Sequence, residues 1–336
     1  MCDVKKASAF LLFDDDMWNK KILIPILAII IVAGFVIFTR KSNEHKVGLV
    51  YIADAEAIDL AKQGLVEELA NIGLDVEIEY ANAFGEPKNI NSIVNSFKQK
   101  KYEAILALTT PCAQIAQQQI KEQPIIFVGV SDPIGAGLVK GLDKGFENVT
   151  GTMSKDPVYI NIKFAKTIFP NIQKIGIIYS ANEANSQSII KMLEDSLLAN
   201  QSQITLVKKA INQTADVYPV ASSLIKEVDA VFLINDNTIS SSSELIISLT
   251  TGAKKPIFSC DIESVKKGAL FTYGLNYKDE GIAAADILKE ILVNKKQPSE
   301  IPVFVNSKYY LYINKGLFER YSINKEIIKE EYIKVK

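Results

Sequence analysis

The stretch Ile125-Ile-Phe-Val-Gly-Val-Ser-Asp-Pro133 limits what this chain can fold into more than any other. From Ile125 to Val130 every residue is apolar or glycine, with no polar alternation. A strand reads this way when both faces are covered, as in a parallel sheet flanked by helices. The run stops at Ser131-Asp132-Pro133. Ser and Asp favour helix N-caps, and Pro favours the first helical position. The chain therefore leaves the carboxyl end of a strand and enters a turn or short helix, and ligands of open α/β sheets bind at such ends.

The same grammar recurs at Ile105-Leu-Ala-Leu-Thr-Thr-Pro111, Ile175-Gly-Ile-Ile-Tyr-Ser180, Val231-Phe-Leu-Ile-Asn-Asp-Asn237 and Ile257-Phe-Ser-Cys-Asp261. Helix capping alone explains any one of these loops. Their repetition, with Asp or paired Thr at most of them, points to a common rim of strand ends that carries a site.

Between these anchors the chain alternates. Val47–Ile52 is a strand, residues about 57–72 have helical periodicity, and Val76–Tyr80 alternates as an edge strand does. A helix runs from Pro87 to about Lys100, followed by strand 103–108, helix 111–121 and strand 125–130. Asp156-Pro157 opens a helix that ends near Pro170. A second series follows: strand 174–179, helix 185–199, strand 204–211, helix 216–226, strand 230–235, helix 241–251 and strand 256–260. The chain then returns through Ala269–Tyr273, a helix over about 278–293, and Pro302–Asn306. The expected architecture is α/β: two Rossmann-like lobes with parallel sheets, strand ends facing across a cleft. The first lobe is expected to hold 46–155 plus roughly 270–305, and the second 156–269 plus roughly 306–336. Crossings near 150–157, 270–280 and 303–312 would form the hinge.

Ahead of the lobes lie a polar tail (1–21), an uninterrupted apolar segment (Ile22–Phe38) and a linker (39–45). The apolar segment spans about 25 Å as a helix, enough to cross a bilayer core with flanking residues snorkelling. No A-x-A site follows it, which favours an uncleaved signal-anchor over a cleaved signal peptide. Val32-Ala-Gly-Phe35 is arranged like a lipoprotein signal, with Phe35 where the acylated Cys must stand. Met17-Trp-Asn-Lys-Lys21 would itself make a normal basic start, so translation from Met1 or Met17 both stay open. The expectation is a single-pass protein of the cell membrane with its α/β domain extracytoplasmic.

Composition excludes several classes. Thirty-eight Lys and Arg against 39 Asp and Glu give a net charge of -1, which argues against a nucleic-acid partner. His45, the one histidine, lies at the end of the linker, which removes His-dependent triads and His-based metal sites. Cys2, Cys112 and Cys260 have no metal-like spacing and suggest no disulfide framework. Neither a G-x-S-x-G elbow nor a P-loop is present, and Gly135-Ala-Gly137 with Gly141 misses the dinucleotide fingerprint by one residue. No enzyme and no cofactor are expected.

Thr109-Thr-Pro-Cys-Ala-Gln114, Pro124–Val139 and Asn148-Val-Thr-Gly151 are similar to first-lobe motifs of the ABC-transporter substrate-binding proteins of the tryptophan/tyrosine-associated type. Glu183-Ala-Asn-Ser186, Asn235-Asp-Asn-Thr238 and Gly268–Gly274 resemble its second-lobe motifs, so the likeness covers about 46–320. The resemblance implies a type I periplasmic-binding fold. It also implies delivery of a small solute, an amino acid and aromatic by family association, to a permease and its ATPase; the protein itself is expected as a monomer. A ligand-sensing ectodomain that signals through a partner uses the same fold and is the alternative.

An amino-acid ligand needs two kinds of site. Its carboxylate needs helix N-terminal N–H groups and hydroxyls, for which Thr109 and Thr110 before Pro111, and Asn185-Ser186 in the other lobe, are candidates. Its ammonium needs a carboxylate, for which Asp132, Asp236 and Asp261 are candidates, with Asn237 beside the second. Tyr51 or Tyr273 would wall the cleft. Asp236, directly after an apolar strand, is the expected counter-ion.

Overall fold

The computed structural model describes residues 45–328 and 332–335. The apolar segment Ile22–Phe38 and its flanks lie outside them, and among the described residues no helix is long and apolar enough to cross a membrane.

The first sheet has six strands, all parallel: β1 (His45–Tyr51), β2 (Val76–Asn82), β3 (Ala104–Leu108), β4 (Ile125–Val130), β5 (Val149–Ser154) and β11 (Phe304–Asn306). Their order is β11-β5-β4-β3-β1-β2. β3 is buried along its whole length and β4 at every residue but Gly129, as unbroken apolar runs require. β2, the alternating segment, is at the edge. Helix α1 (Glu56–Asn71), α2 (Pro87–Lys100), α3 (Thr110–Gln119) and α10 (Lys278–Leu292) accompany this sheet. Pro87 starts α2 with its fixed φ, and Ile90, Val94 and Phe97 recur on its inner face.

The second lobe has a four-stranded parallel sheet of order β7-β6-β8-β9, built from β6 (Lys174–Ser180), β7 (Thr205–Ile211), β8 (Ala230–Leu233) and β9 (Ile257–Ser259). Beside it is a three-stranded sheet of order β10-β12-β13, from β10 (Phe271–Leu275), β12 (Tyr309–Asn314) and β13 (Tyr332–Val335). The helices of this lobe are α4 (Val158–Ile168), α5 (Ala184–Ala199), α6 (Val217–Glu227), α7 (Asn237–Ser241), α8 (Ser243–Gly252), α9 (Ile262–Lys267) and α11 (Lys315–Arg320).

Two segments differ from the sequence expectation. β10 was expected to return to the first lobe, but its rings place it in the second. Phe271 stacks on Phe258 at 5.2 Å, Phe258 stacks on Phe232 at 4.7 Å, and Phe164 meets Phe271 and Tyr273 edge-on. Buried Asn161 also closes the strand by accepting from the Tyr273 N–H and donating to its carbonyl. The helix expected over 241–251 begins earlier, at Asn237, and breaks at Ser242. The Asp236 carboxylate accepts the Ile239 N–H and so starts a short extra helix.

The chain passes between lobes in short segments, between β5 and α4, between β10 and α10, and between β11 and β12. At the second passage α10 packs against α1 with glycine at both contact points. A Cβ on Gly281 would stand 1.9 Å from the Ala61 carbonyl oxygen, and one on Gly64 would stand 2.1 Å from that of Lys278. Backbone cannot yield as a side chain can, so the helices would have to separate. Gly281→Ala is therefore expected to cost about 1–3 kcal/mol despite the better helix propensity of Ala. Thermal melts of the two proteins check it; an unchanged or higher melting temperature would contradict the close approach.

Candidate functional site

The carboxyl ends of both parallel sheets open on a single cleft with a cavity volume of about 410 Å³. From the first lobe come the loop after β1, Thr109 and Thr110 after β3, Gly129 and Ser131 at the end of β4, and Ser154 at the end of β5. The second lobe contributes Asn185, Asn235, Asp236 and Asn237, the start of α9 at Asp261, and the hinge adds Tyr277.

The backbone of the floor is unusual where the ligand space begins. Thr109 has φ 80°, a conformation that a β-branched residue adopts at a cost of about 1–3 kcal/mol. This conformation delivers the chain into α3. Neither α3 nor α5 has a side chain capping its first N–H groups, and both helices begin at cleft-lining residues, Thr110 and Asn185. Each therefore presents uncompensated N–H dipoles to the cavity.

The rest of the lining is acidic. Asp54, Glu56, Asp236, Asp261 and Glu263 face one cation, Lys267, which is already paired with Glu263 at 2.5 Å. Beneath the floor are two more buried carboxylates. Burial pushes the Asp156 carboxyl up to about 6 and that of Glu280 up to about 7. Glu280 accepts from the Ser154 hydroxyl at 2.7 Å, from Asn306 Nδ2 at 3.3 Å and from the Thr152 hydroxyl at 3.4 Å. Asp156 accepts from Asn235 Nδ2.

The ten residues singled out in the sequence divide into two groups. Thr109, Thr110, Asn185, Asp236, Asn237 and Asp261 are brought together around the cavity. Ser186 is one layer below, donating to Asp236 Oδ2 at 2.7 Å. Tyr51 does not wall the cleft; the Lys62 ammonium covers its ring at 4.5 Å. Tyr273 is in the aromatic cluster of the second lobe and is 4% exposed. Asp132 turns away to accept the Gly135 N–H.

The counter-ion expectation for Asp236 needs correction. Its Oδ1 accepts the Ile239 N–H, and its Oδ2 accepts the Ser180 N–H and the Ser186 hydroxyl. The carboxylate is 1% exposed and spent on holding α7 to the end of β6. Burial, and then the neighbouring Glu183 carboxylate, push it up to about 6. Asp261 is committed in the same way, accepting the Ser264 N–H and hydroxyl at 2.7 Å each. The residues not singled out are Ser131, Asn235, Tyr277, Asp156 and Glu280. Ser131 and Asn235 stand inside motifs visible in the sequence; Tyr277 and Glu280 take partners from distant elements and leave no local signal.

Two contacts cross the mouth of the cleft. The Glu56 N–H donates to Glu263 Oε2 at 3.3 Å, and Lys266 pairs with the Glu56 carboxylate.

Glu280 supplies a test. Its folded-state value, about 7, lies above the ordinary 4.5. Between these values the folded protein holds a proton that the unfolded chain releases, so this stabilisation is complete below about pH 4.5 and is lost as pH rises through about 7. Glu280→Gln stays neutral throughout. The wild type is expected to lose about 2–3 kcal/mol relative to the variant between pH 5 and 8, read by thermal or urea unfolding. A difference that is flat across this range would contradict the assignment.

A family profile described as ABC transporter substrate binding protein matches residues 46–335. The chain is 30% identical over 291 residues to a protein of Clostridioides difficile named tyrosine-binding protein, an alignment covering 85% of this chain and 84% of that one. It is similar to the crystal structure of an ABC domain in complex with L-Trp from Streptococcus pneumoniae, with TM-score 0.83, 26% identity, and coverage of 87% of this chain and 100% of that one. With the ligand-free, open structure of a substrate-binding protein with adhesive properties from Clostridium difficile, the TM-score is 0.66 at 29% identity, covering 87% and 99%. At nearly equal identity the TM-score is higher with the ligand-complexed relative than with the open one.

Proposed function

The chain belongs to the family of ABC transporter substrate-binding proteins, and from that premise we propose that it captures an amino acid with an aromatic side chain between its lobes for delivery to an importer's permease. The observation that carries this reading is the polarity of the cleft. Two uncapped helix N-termini face carboxylates, and the one lining cation is already paired. A zwitterion suits such a cavity: its carboxylate takes the N–H groups at the start of α3, and its ammonium the acceptors and carboxylates that outnumber the one paired cation. Ala53, Ala55, Ile58, Leu60, Ile262 and Tyr277 offer an apolar wall for the side chain. The likeness to a tyrosine-binding protein and to an L-Trp complex supports the aromatic choice.

Binding closes the lobes in this reading, because neither lobe alone completes the site, and a ligand shifts the open–closed balance only by its differential affinity for the closed state. Calorimetry of the purified protein with the twenty L-amino acids, followed by small-angle scattering at saturation, is the test. The expected outcome is tightest binding of L-tyrosine, L-tryptophan or L-phenylalanine with a smaller radius of gyration. Binding of no amino acid, or a preference for aliphatic ones, would refute it.

Ile22–Phe38 is proposed as an uncleaved membrane anchor that holds the α/β domain on the outer side, where an importer's permease can receive the solute. The support is the apolar run, its Lys and Arg flanks and the missing cleavage and lipidation residues. Intact mass of protein purified from its own membranes is expected to retain this segment; a mature N-terminus between about 34 and 45 would refute it.

A further inference from the structure

Asp156 is at the first passage between lobes, 4% exposed, in a place where a carboxylate has few reasons to be. The titratable groups beside it are Cys260, Tyr277, Tyr309 and Glu280, none of them a cation. Oδ1 accepts from Asn235 Nδ2. The Ser131 hydroxyl is beside the same carboxyl, yet Oδ2 is buried without a hydrogen bond of good geometry. A buried anion left in this condition is costly unless something compensates it.

The two residues that touch this carboxyl come from opposite lobes, Ser131 from the first and Asn235 from the second, and both line the cleft. Asn235 Nδ2 also reaches the Tyr277 hydroxyl at 3.3 Å. With its amide nitrogen so held, Asn235 has Oδ1 left over for the cavity. Asn185 is next to it, donating to the Asn235 carbonyl at 3.0 Å, and its own Oδ1 is buried without a partner. An ammonium group carries three donors and no acceptor, which matches a floor of spare acceptors backed by an anion.

We propose that Asp156 is the residue that makes this cleft select a ligand bearing an ammonium group, acting through Asn235 and Ser131 as a positioning residue rather than by direct contact. Its charge, shielded from water, polarises the Asn235 amide so that Oδ1 is the stronger acceptor. Because the carboxyl joins one cleft residue from each lobe, the acceptor is set only when the lobes are closed. This inference rests on the amino-acid reading above and assigns it a charge-selecting residue.

The test compares two probes that differ in the ammonium group alone, L-tyrosine and 3-(4-hydroxyphenyl)propionate. Their affinities are measured by calorimetry for the wild type, Asp156→Asn and Asn235→Ala. The expected result is that the wild-type preference for L-tyrosine shrinks about tenfold or more in both variants, while affinity for the deaminated probe changes by less than about threefold. A purely structural hinge residue would weaken both probes alike and leave the preference intact; that result overturns the proposal. Should Asp156→Asn fail to fold, the preference measured in Asn235→Ala decides in the same way. A wild type that binds neither probe overturns this inference together with the function it rests on, whereas intact L-tyrosine binding with an unchanged preference overturns this inference alone.

Discussion

The Glu280 carboxylate holds the hinge at its first-lobe end. It accepts from Ser154, the last residue of β5, and from Asn306, the last residue of β11, and it rides in the first turn of α10 just after the second passage. Asn306 donates in addition to the Asn276 carbonyl. One buried side chain thus gathers all three passages. A carboxylate at a helix N-terminus is favoured by the local dipole, and its three protein donors offset part of the desolvation cost. The lobes, the cleft between them and the alignment of both sheets' strand ends all depend on those passages staying together.

The cleft inherits its chemistry from this geometry. Parallel strands bring their carboxyl ends to one rim, and each following helix aims its N–H groups there. The acidic residues that cap such helices then accumulate on the same rim. Most of them are satisfied locally: Asp236 and Asp261 by their own helices, and Glu183 by the N–H groups of Asn237 and Thr238. Asp156 differs from these three in that its Oδ2 is buried without a hydrogen-bond partner.

Much of this was legible in the sequence, and what was not has a physical cause. Strands buried on both faces write themselves as unbroken apolar runs, so β3, β4 and β8 were visible. The rim was visible too, because caps and strand ends are local. The role of Asp236 was open to two readings, since an Asp before a helix caps its third N–H and also resembles a counter-ion; only the Ser180 and Ser186 donors, 56 and 50 residues away in the chain, decide between them. Tyr273 looked like a cleft wall because nothing local reveals that its strand joins the second lobe's aromatic stack. Glu280 leaves no local signal in the sequence, its shortest hydrogen bond coming from a residue 126 positions away.

The glycine contact between α1 and α10 has a mechanical meaning. α10 carries Glu280 at the hinge, and α1 carries Glu56 at the mouth, at the far end of a helix about 24 Å long. With main chain pressed against main chain at Gly64 and Gly281, the two helices cannot slide past one another. They act as a single lever whose fulcrum is buried and whose tip is the lip of the cleft. Gly64 stands eight residues from Glu56, an arm of about 12 Å, so a rotation of a few degrees at the fulcrum moves the lip by roughly half an ångström to one ångström. The lip of the cleft therefore moves as one piece with the hinge end of α10.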